Sequence, residues 1–301
     1  MSYFRSLVWL AACALVLMMS GRSIANPPPS NIPDQYKING FAVGCQAYTF
    51  NHFSVMEAIE KTSQAGGRII EFYPGQRLRP DQPAVTFSHN SPDAVIEQVL
   101  AQCKKFDIRP VNYGVVVPGG KDAKARQEEW KKIFAFAKRL DLIAITSEPN
   151  PADLDFVESL VKENNIRFAI HDHPRQPNNP SYQFWDPQYV LSLVKDRDSR
   201  MGSCADIGHW ARSGVKPLEA LELLRGRVIS SHMKDLNDFG NPRAHDMPWG
   251  TGKCGVDELL DELRRQGFDG NISVEYEYHE DNSLPEVKQC IDFVKNYKPG
   301  K

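Results

Sequence analysis

The feature that most limits how this chain can fold is a regular alternation, from Phe41 onward, of short apolar runs with longer amphipathic segments. The apolar runs read as buried strands, and the amphipathic segments as helices laid on a sheet. Strands are predicted over 41–48, 68–72, 108–117, 142–146, 167–170, 201–206, 228–232 and 271–276. Helices are predicted over 54–65, 91–106, 121–140, 152–164, 187–195, 216–224, 256–266 and 283–295. In the third helix Trp130, Ile133, Phe134 and Ala137 recur at the spacing of one helical face. Gly66-Gly67 stops the first helix, and Ser91-Pro92-Asp93 opens the second with proline in its first turn. Eight consecutive β–α units call for a parallel sheet, and their number and length suit a single closed (β/α)8 barrel, an α/β fold. A doubly wound open sheet fits less well. No GxGxxG follows the first strand, and polar residues follow most strands instead of gathering at one switch point.

With 301 residues, 41% of them hydrophobic and 25% charged, the chain is long for a single core but right for such a barrel. Its 36 basic and 38 acidic residues leave a formal charge of -2, which provides no basic field for nucleic acid and points to a small-molecule partner. A homo-oligomer is left open. Ahead of the barrel, Arg5, the apolar LVWLAACALVLMM and the small-residue pattern Ser23-Ile24-Ala25 describe a signal peptide over 1–25, cleaved after Ala25. The apolar run is short for a membrane span, so no stable span is expected after signal removal, and the protein is expected to be exported, periplasmic or secreted. Leu10-Ala11-Ala12-Cys13 has the form of a lipoprotein box, but the apolar ALVLMM behind it is wrong for a mature lipoprotein. Residues 26–40 form a proline-rich lead expected to stay extended, and 41–301 form the barrel. Beyond Cys13, Cys45, Cys103, Cys204, Cys254 and Cys290 are odd in number and lack CxxC spacing, so they read as buried apolar residues with at most one or two bridges.

Chemistry gathers between Cys204 and Tyr278, where acids and imidazoles follow apolar runs: Asp206 and His209 in CADIGHW, His232 in VISSHMKDL and Glu275 in NISVEYEYH. In a parallel barrel all strand C-termini share one face, so residues far apart in sequence can converge on one divalent ion. Two carboxylates with one or two imidazoles suit Mn, Mg, Co or Zn without choosing among them, and the absence of a Cys ligand set argues against structural zinc. Of Glu275 and Glu277, only one is expected to point inward. An Asp at a strand-to-helix boundary also suits a helix cap. The long loops after the fifth and seventh strands are expected to form the mouth of the site.

CADIGHW resembles the D-x-x-H sixth strand of the xylose isomerase-like barrel superfamily, which includes tagatose-type epimerases, inosose dehydratases and related sugar isomerases. SSHMKDL resembles its H-x-K-D seventh strand, and WGTGKCGVDELLDELRRQGFDGNISVEYE its G-x-G loop, seventh helix and final V-E strand. The resemblance implies Asp206, His232 and Glu275 as ligands of one divalent metal. The family's fourth ligand, a Glu ending the fifth strand, is replaced here by His171, followed by Asp172 and His173. Either His171 is itself a ligand or Glu148, ending the fourth strand, reaches in. Because the family's epimerases use that Glu as one of two bases, a two-base C3 epimerase is not implied. Glu275 or Glu148 is the candidate base removing a proton beside a carbonyl, with His209 beside the ion touching substrate or moving a proton. Glu71, His173, Lys234, His245 and Trp249 are candidate substrate contacts. All but His173 have a plainer reading: Glu71 pairing with Arg68 or Arg77, Lys234 pairing with Asp235, and His245 and Trp249, with Arg243, in a solvated loop. Gly250-Thr251-Gly252 could receive an anion at a helix N-terminus. His52, His89 and His279 read as surface residues. The expectation is an exported, metal-dependent sugar isomerase or epimerase working through an ene-diolate. The alternatives are a keto-sugar lyase or dehydratase, and a sugar-binding barrel without catalysis.

Overall fold

The computed structural model describes residues 27–300. Eight strands form one sheet: β1 (Phe41–Gln46), β2 (Ile69–Phe72), β3 (Arg109–Tyr113), β4 (Ala144–Ser147), β5 (Arg167–His171), β6 (Met201–Asp206), β7 (Val228–Met233) and β8 (Asn271–Val274). Every neighbouring pair is parallel, and β1 pairs with both β8 and β2, so the sheet closes into a (β/α)8 barrel. Outside it lie α1 (Val55–Gln64), α2 (Asp93–Lys105), α3 (Ala123–Arg139), α4 (Leu154–Asn164), α5 (Pro187–Val194), α6 (Ile207–Arg212), α7 (Pro217–Leu223), α8 (Val256–Arg265) and α9 (Leu284–Asn296). Most apolar burial lies between barrel and helices, where Trp130, Ile133, Phe134 and Ala137 of α3 pack as their spacing predicts.

Three local features differ from the sequence expectation. A hairpin, Gln76–Arg79 with Gln82–Phe87, follows β2, where no strand was expected. Pro92 is the N-cap of α2 and not a first-turn residue. The extra helix α6 starts directly at the end of β6, with the Asp206 side chain accepting the His209 N–H at 2.8 Å. The lead does not simply trail away: Ser30 and Ile32 are buried, and Ile32 packs with Ala42, Ile69 and Val111 at the N-terminal end of the barrel. Residues 37–38 then pair antiparallel with the start of β1. The expected signal segment lies outside the described residues. Among the described residues no helix is long and apolar enough to cross a membrane. Cys45, Cys103, Cys204, Cys254 and Cys290 are free and buried.

Strand alternation sets the site. Ile70 and Phe72, Phe168 and Ile170, and Ile272 and Val274 face the helices. Their alternates Glu71, His171 and Ser273 therefore point into the barrel, one side-chain layer from its C-terminal rim. Gly202 allows a close strand approach, since a Cβ there would lie 2.0 Å from the Arg227 carbonyl oxygen.

Candidate metal centre

His171 from β5, Asp206 from β6, His232 from β7 and Glu275, one residue past β8, each offer a donor atom within 4.8 Å of the others. His171 Nε2 lies 3.7 Å from Asp206 Oδ2, and His232 Nδ1 lies 3.9 Å from Asp206 Oδ2 and 3.3 Å from Glu275 Oε2. These four atoms are buried without a hydrogen-bond partner. Buried polar atoms are normally satisfied, so four orphans aimed at one region fit a cation in their midst. Two imidazole nitrogens and two carboxylate oxygens suit a divalent ion, and the residues present fit such a group.

The far side of each histidine meets a carboxylate. Glu148 Oε1 is 3.4 Å from His171 Nδ1, and Glu71 Oε1 is 3.1 Å from His232 Nε2. A carboxylate behind a ligating imidazole fixes its orientation and raises its donor strength. Of the two sequence alternatives, the geometry places His171 in the donor cluster and Glu148 behind it. Glu71 has no exposure, and its other oxygen accepts from Ser273 Oγ at 3.1 Å and Asn271 Nδ2 at 3.3 Å. It therefore faces neither a substrate nor Arg68 or Arg77, because strand alternation turns it into the barrel. Although burial alone would lower it, the Asp206 and Glu148 carboxylates raise the His171 pKa to about 10. Burial opposes ionisation of Glu148 too, but His171 and His173 hold it down at about 2.

Lys234 is also buried, with its Nζ 2.8 Å from Glu277 Oε2, to which it donates. The same nitrogen approaches Glu275 Oε2 at 2.7 Å and Asp206 Oδ2 at 3.1 Å, without hydrogen-bond alignment to either. It thus organises three carboxylates, in place of the expected pairing with Asp235 or contact with substrate. Its stem needs Gly208, where a Cβ would lie 2.8 Å from Lys234 Cβ and Cδ. Asp235 instead accepts from the amides of Gly250, Gly252 and Cys254 at 2.9, 2.8 and 2.9 Å. The amides expected to receive an anion are therefore already occupied by this internal carboxylate.

Beside the cluster opens a cavity of about 350 Å³, lined on one side by Glu148, His171, His173, His209, Glu275 and Glu277. Gln46, Tyr48, Tyr73, Pro74, Gly114, Val115 and Val117 complete it. Its second wall thus comes from the loops after β1, β2 and β3, whereas sequence had pointed to the loops after β5 and β7; only the β5 loop contributes. Both Glu275 and Glu277 line the cavity, where only one was expected to point inward; residues two apart share a strand face, so the two can face it together. Arg212 Nη1 lies 3.1 Å from His209 Nδ1. Arginine only donates, so Nδ1 accepts, and a neutral His209 carries its hydrogen on Nε2, 3.6 Å from Asp206 Oδ2. Burial, reinforced by Lys234 and His171 against the pull of Asp206, holds His209 well below the usual histidine range.

Other expected contacts lie elsewhere. Trp249 belongs to the hydrophobic core at 3% exposure, since its loop is pulled inward around Asp235. His245 does not line the cavity; its ring sits 4.3 Å from that of Tyr278. His89 is largely enclosed between Tyr113 and Glu129, while His52 and His279 stay about half exposed. Asp172, set aside in sequence, is buried, and Asp206 N–H donates to its Oδ1 at 3.0 Å. Burial and the neighbouring Asp206 charge raise its pKa well above the usual range. Tyr182 and Arg212 were missed, for no motif marks them.

Known proteins fit this architecture. Residues 59–297 match the family described as xylose isomerase-like TIM barrel. An uncharacterised protein of Methanocaldococcus jannaschii, MJ1311, is 34% identical over 152 residues, which is 49% of this chain and 48% of that protein. The chain therefore spans about half the length of that relative. A crystal structure of an uncharacterised protein from Parabacteroides distasonis has 32% identity and a TM-score of 0.67, covering 86% of this chain and 99% of that one. A D-tagatose 3-epimerase-like protein matches at 18% identity and TM-score 0.62, over 84% and 98% of the two chains. The probable 3-DHS dehydratase AsbF of Bacillus anthracis matches at 15% identity and TM-score 0.60, over 84% and 98%. With the closed barrel and the matched span together, the chain belongs to the xylose isomerase-like TIM barrel family.

Proposed function

We propose that this protein is an exported, divalent-metal-dependent isomerase or epimerase of a small carbohydrate, acting by enolisation beside a carbonyl. The observation that carries the reading is the set of four buried donor atoms without a hydrogen-bond partner, on His171, Asp206, His232 and Glu275, beside a cavity of sugar-sized volume. A divalent ion held by these four would supply Lewis-acid polarisation of a carbonyl and its neighbouring hydroxyl, making the adjacent C–H acidic. The chain's own groups do the rest. Glu71 and Glu148 hold the two imidazoles in orientation, and Lys234 keeps Asp206, Glu275 and Glu277 together despite their like charge. His209, fixed by Arg212 as a neutral donor, offers an N–H to an oxygen on which negative charge develops. Tyr48 and Tyr73, rings 5.2 Å apart, give the opposite wall an aromatic surface for the apolar face of a sugar ring.

The same His209 N–H supports a second reading, β-elimination from a keto-sugar, in which it protonates a departing hydroxyl; the dehydratase among the structural neighbours is in keeping with this. Elemental analysis of the mature protein, beside His232→Ala and Glu275→Ala, tests the metal. About one ion per chain, lost in both variants, is expected. A wild type that takes up no Mn, Co or Zn at neutral pH refutes the reading and favours a non-catalytic sugar binder. N-terminal sequencing of protein recovered from outside the cytoplasm should begin at Asn26, and a retained Met1 there would overturn cleaved export.

A further inference from the structure

We infer that His173, oriented by Glu148, takes the proton from carbon. This rests on the enolisation reading above and adds its base. His173 lies two residues beyond β5, and its Nδ1 is 2.5 Å from Glu148 Oε1. A carboxylate only accepts, so Nδ1 carries the hydrogen, and in the neutral ring Nε2 keeps its lone pair, the arrangement that a carboxylate imposes on an imidazole base. The pair is held from a third side: Tyr182 Oη donates to the same Glu148 oxygen at 2.7 Å and accepts the His173 backbone N–H at 2.8 Å. Ring, carboxylate and loop backbone thus lock one another.

The other groups lining the cavity are less free. Glu148 Oε1 is shared among His171, His173 and Tyr182. Glu275 lies in the donor cluster against Lys234, and Glu277 accepts from Lys234. The lone pair of His209 is taken by Arg212. The His173 ring, 46% exposed, lines the cavity and stacks on His209 with centroids 5.3 Å apart and planes 27° from parallel. No described residue hydrogen-bonds its Nε2. Base and hydrogen-bond donor therefore stand side by side, one for the carbon-bound proton and one for the carbonyl oxygen. In the step, the C–H bond beside the carbonyl breaks and its proton passes to Nε2. The C–H electron pair forms the C=C bond while the carbonyl π pair moves to oxygen. Return of the proton to the former carbonyl carbon, with the hydroxyl proton of the deprotonated carbon passing to the former carbonyl oxygen, moves the carbonyl to the neighbouring carbon; protonation of the same carbon, as the oxygen's electron pair re-forms C=O, restores the original carbonyl.

The experiment uses the Mn-supplemented mature protein in deuterium oxide with D-fructose, D-tagatose and myo-2-inosose. Deuterium at carbon is read by mass spectrometry, and metal content by elemental analysis. His173→Gln should hold as much metal as wild type while losing about 100-fold or more of the exchange rate. Nitrogen-15 NMR of the Mg-supplemented protein should show His173 protonated at Nδ1 and bare at Nε2. A variant that exchanges at the wild-type rate overturns the assignment, as does hydrogen on Nε2, and loss of metal in His173→Gln would make His173 a ligand instead. A metal-loaded wild type that exchanges none of the three sugars refutes enolisation of this class, and the base assignment falls with it.

Discussion

Replacing Glu71 by glutamine keeps the shape and the acceptor oxygen but removes a charge 3.1 Å behind His232 Nε2, in a position with no solvent. Two effects on metal affinity oppose each other. The charge strengthens His232 as a ligand, and losing such a carboxylate typically weakens binding 10- to 100-fold, or about 1.4–2.8 kcal/mol. In the metal-free protein the same charge also favours a proton on His232. Burial lowers that histidine, but Cys204, Glu71 and Glu275 together raise it well above its usual range, so a metal must displace the proton. Losing Glu71 eases this competition wherever His232 is protonated. The net loss should therefore be small near pH 6 and grow towards the full 10- to 100-fold as pH rises and the proton ceases to compete. Competition with a chromophoric chelator for Mn between pH 6 and 8.5, at matched ionic strength, measures it. A penalty that shrinks as pH rises would show that Glu71 does not act through His232.

In EDTA, His171 is raised to about 10, so its stabilisation is complete below the unfolded value of about 6.5 and drains away as pH climbs towards 10. Glu148 is depressed to about 2, and its contribution is lost below about pH 4, as the acid falls through the folded value. The urea midpoint of the metal-free protein should thus decline from pH 6.5 to 9, and a rising midpoint would contradict the geometry. Lys234→Met leaves three carboxylates facing one another and should destabilise the metal-free protein by about 3–5 kcal/mol. Added Mn should recover more of the melting temperature in this variant than in wild type; equal shifts would sink the idea. Asp235→Ala orphans three amides and should cost at least about 3 kcal/mol in urea unfolding. A loss under about 1 kcal/mol would mean that the 248–255 loop is held by something else.

The readings that held were those where one local signal suffices. Alternation located all eight barrel strands, because a fully buried strand must be apolar and a helix on a sheet must be apolar on one face. Asp206, His232 and Glu275 stand out in the sequence because each ends such a run, and the structure brings their donor atoms together with that of His171. What failed lay at the rim, beyond the strand ends. Of Glu275 and Glu277 only one was expected to point inward, but residues two apart share a strand face and both line the cavity. Trp249 looked like a mouth residue because its loop is rich in glycine and polar residues, but Asp235 draws that loop inward. Asp206 was weighed as cap or ligand. One oxygen caps α6 and the other joins the donor cluster.

By itself, the sequence determined the order of elements, the closed parallel barrel and the rim on which its polar residues would meet, since hydrophobic period and strand direction are local and additive. Only the tertiary structure decided what each polar residue does there. It put His171 among the donors and Glu148 behind it, turned Glu71 onto His232, drew Lys234 among three acids and set His173 against Glu148. Those roles depend on which atom faces which across neighbouring strands at about 3 Å, and spacing along one chain carries no such information.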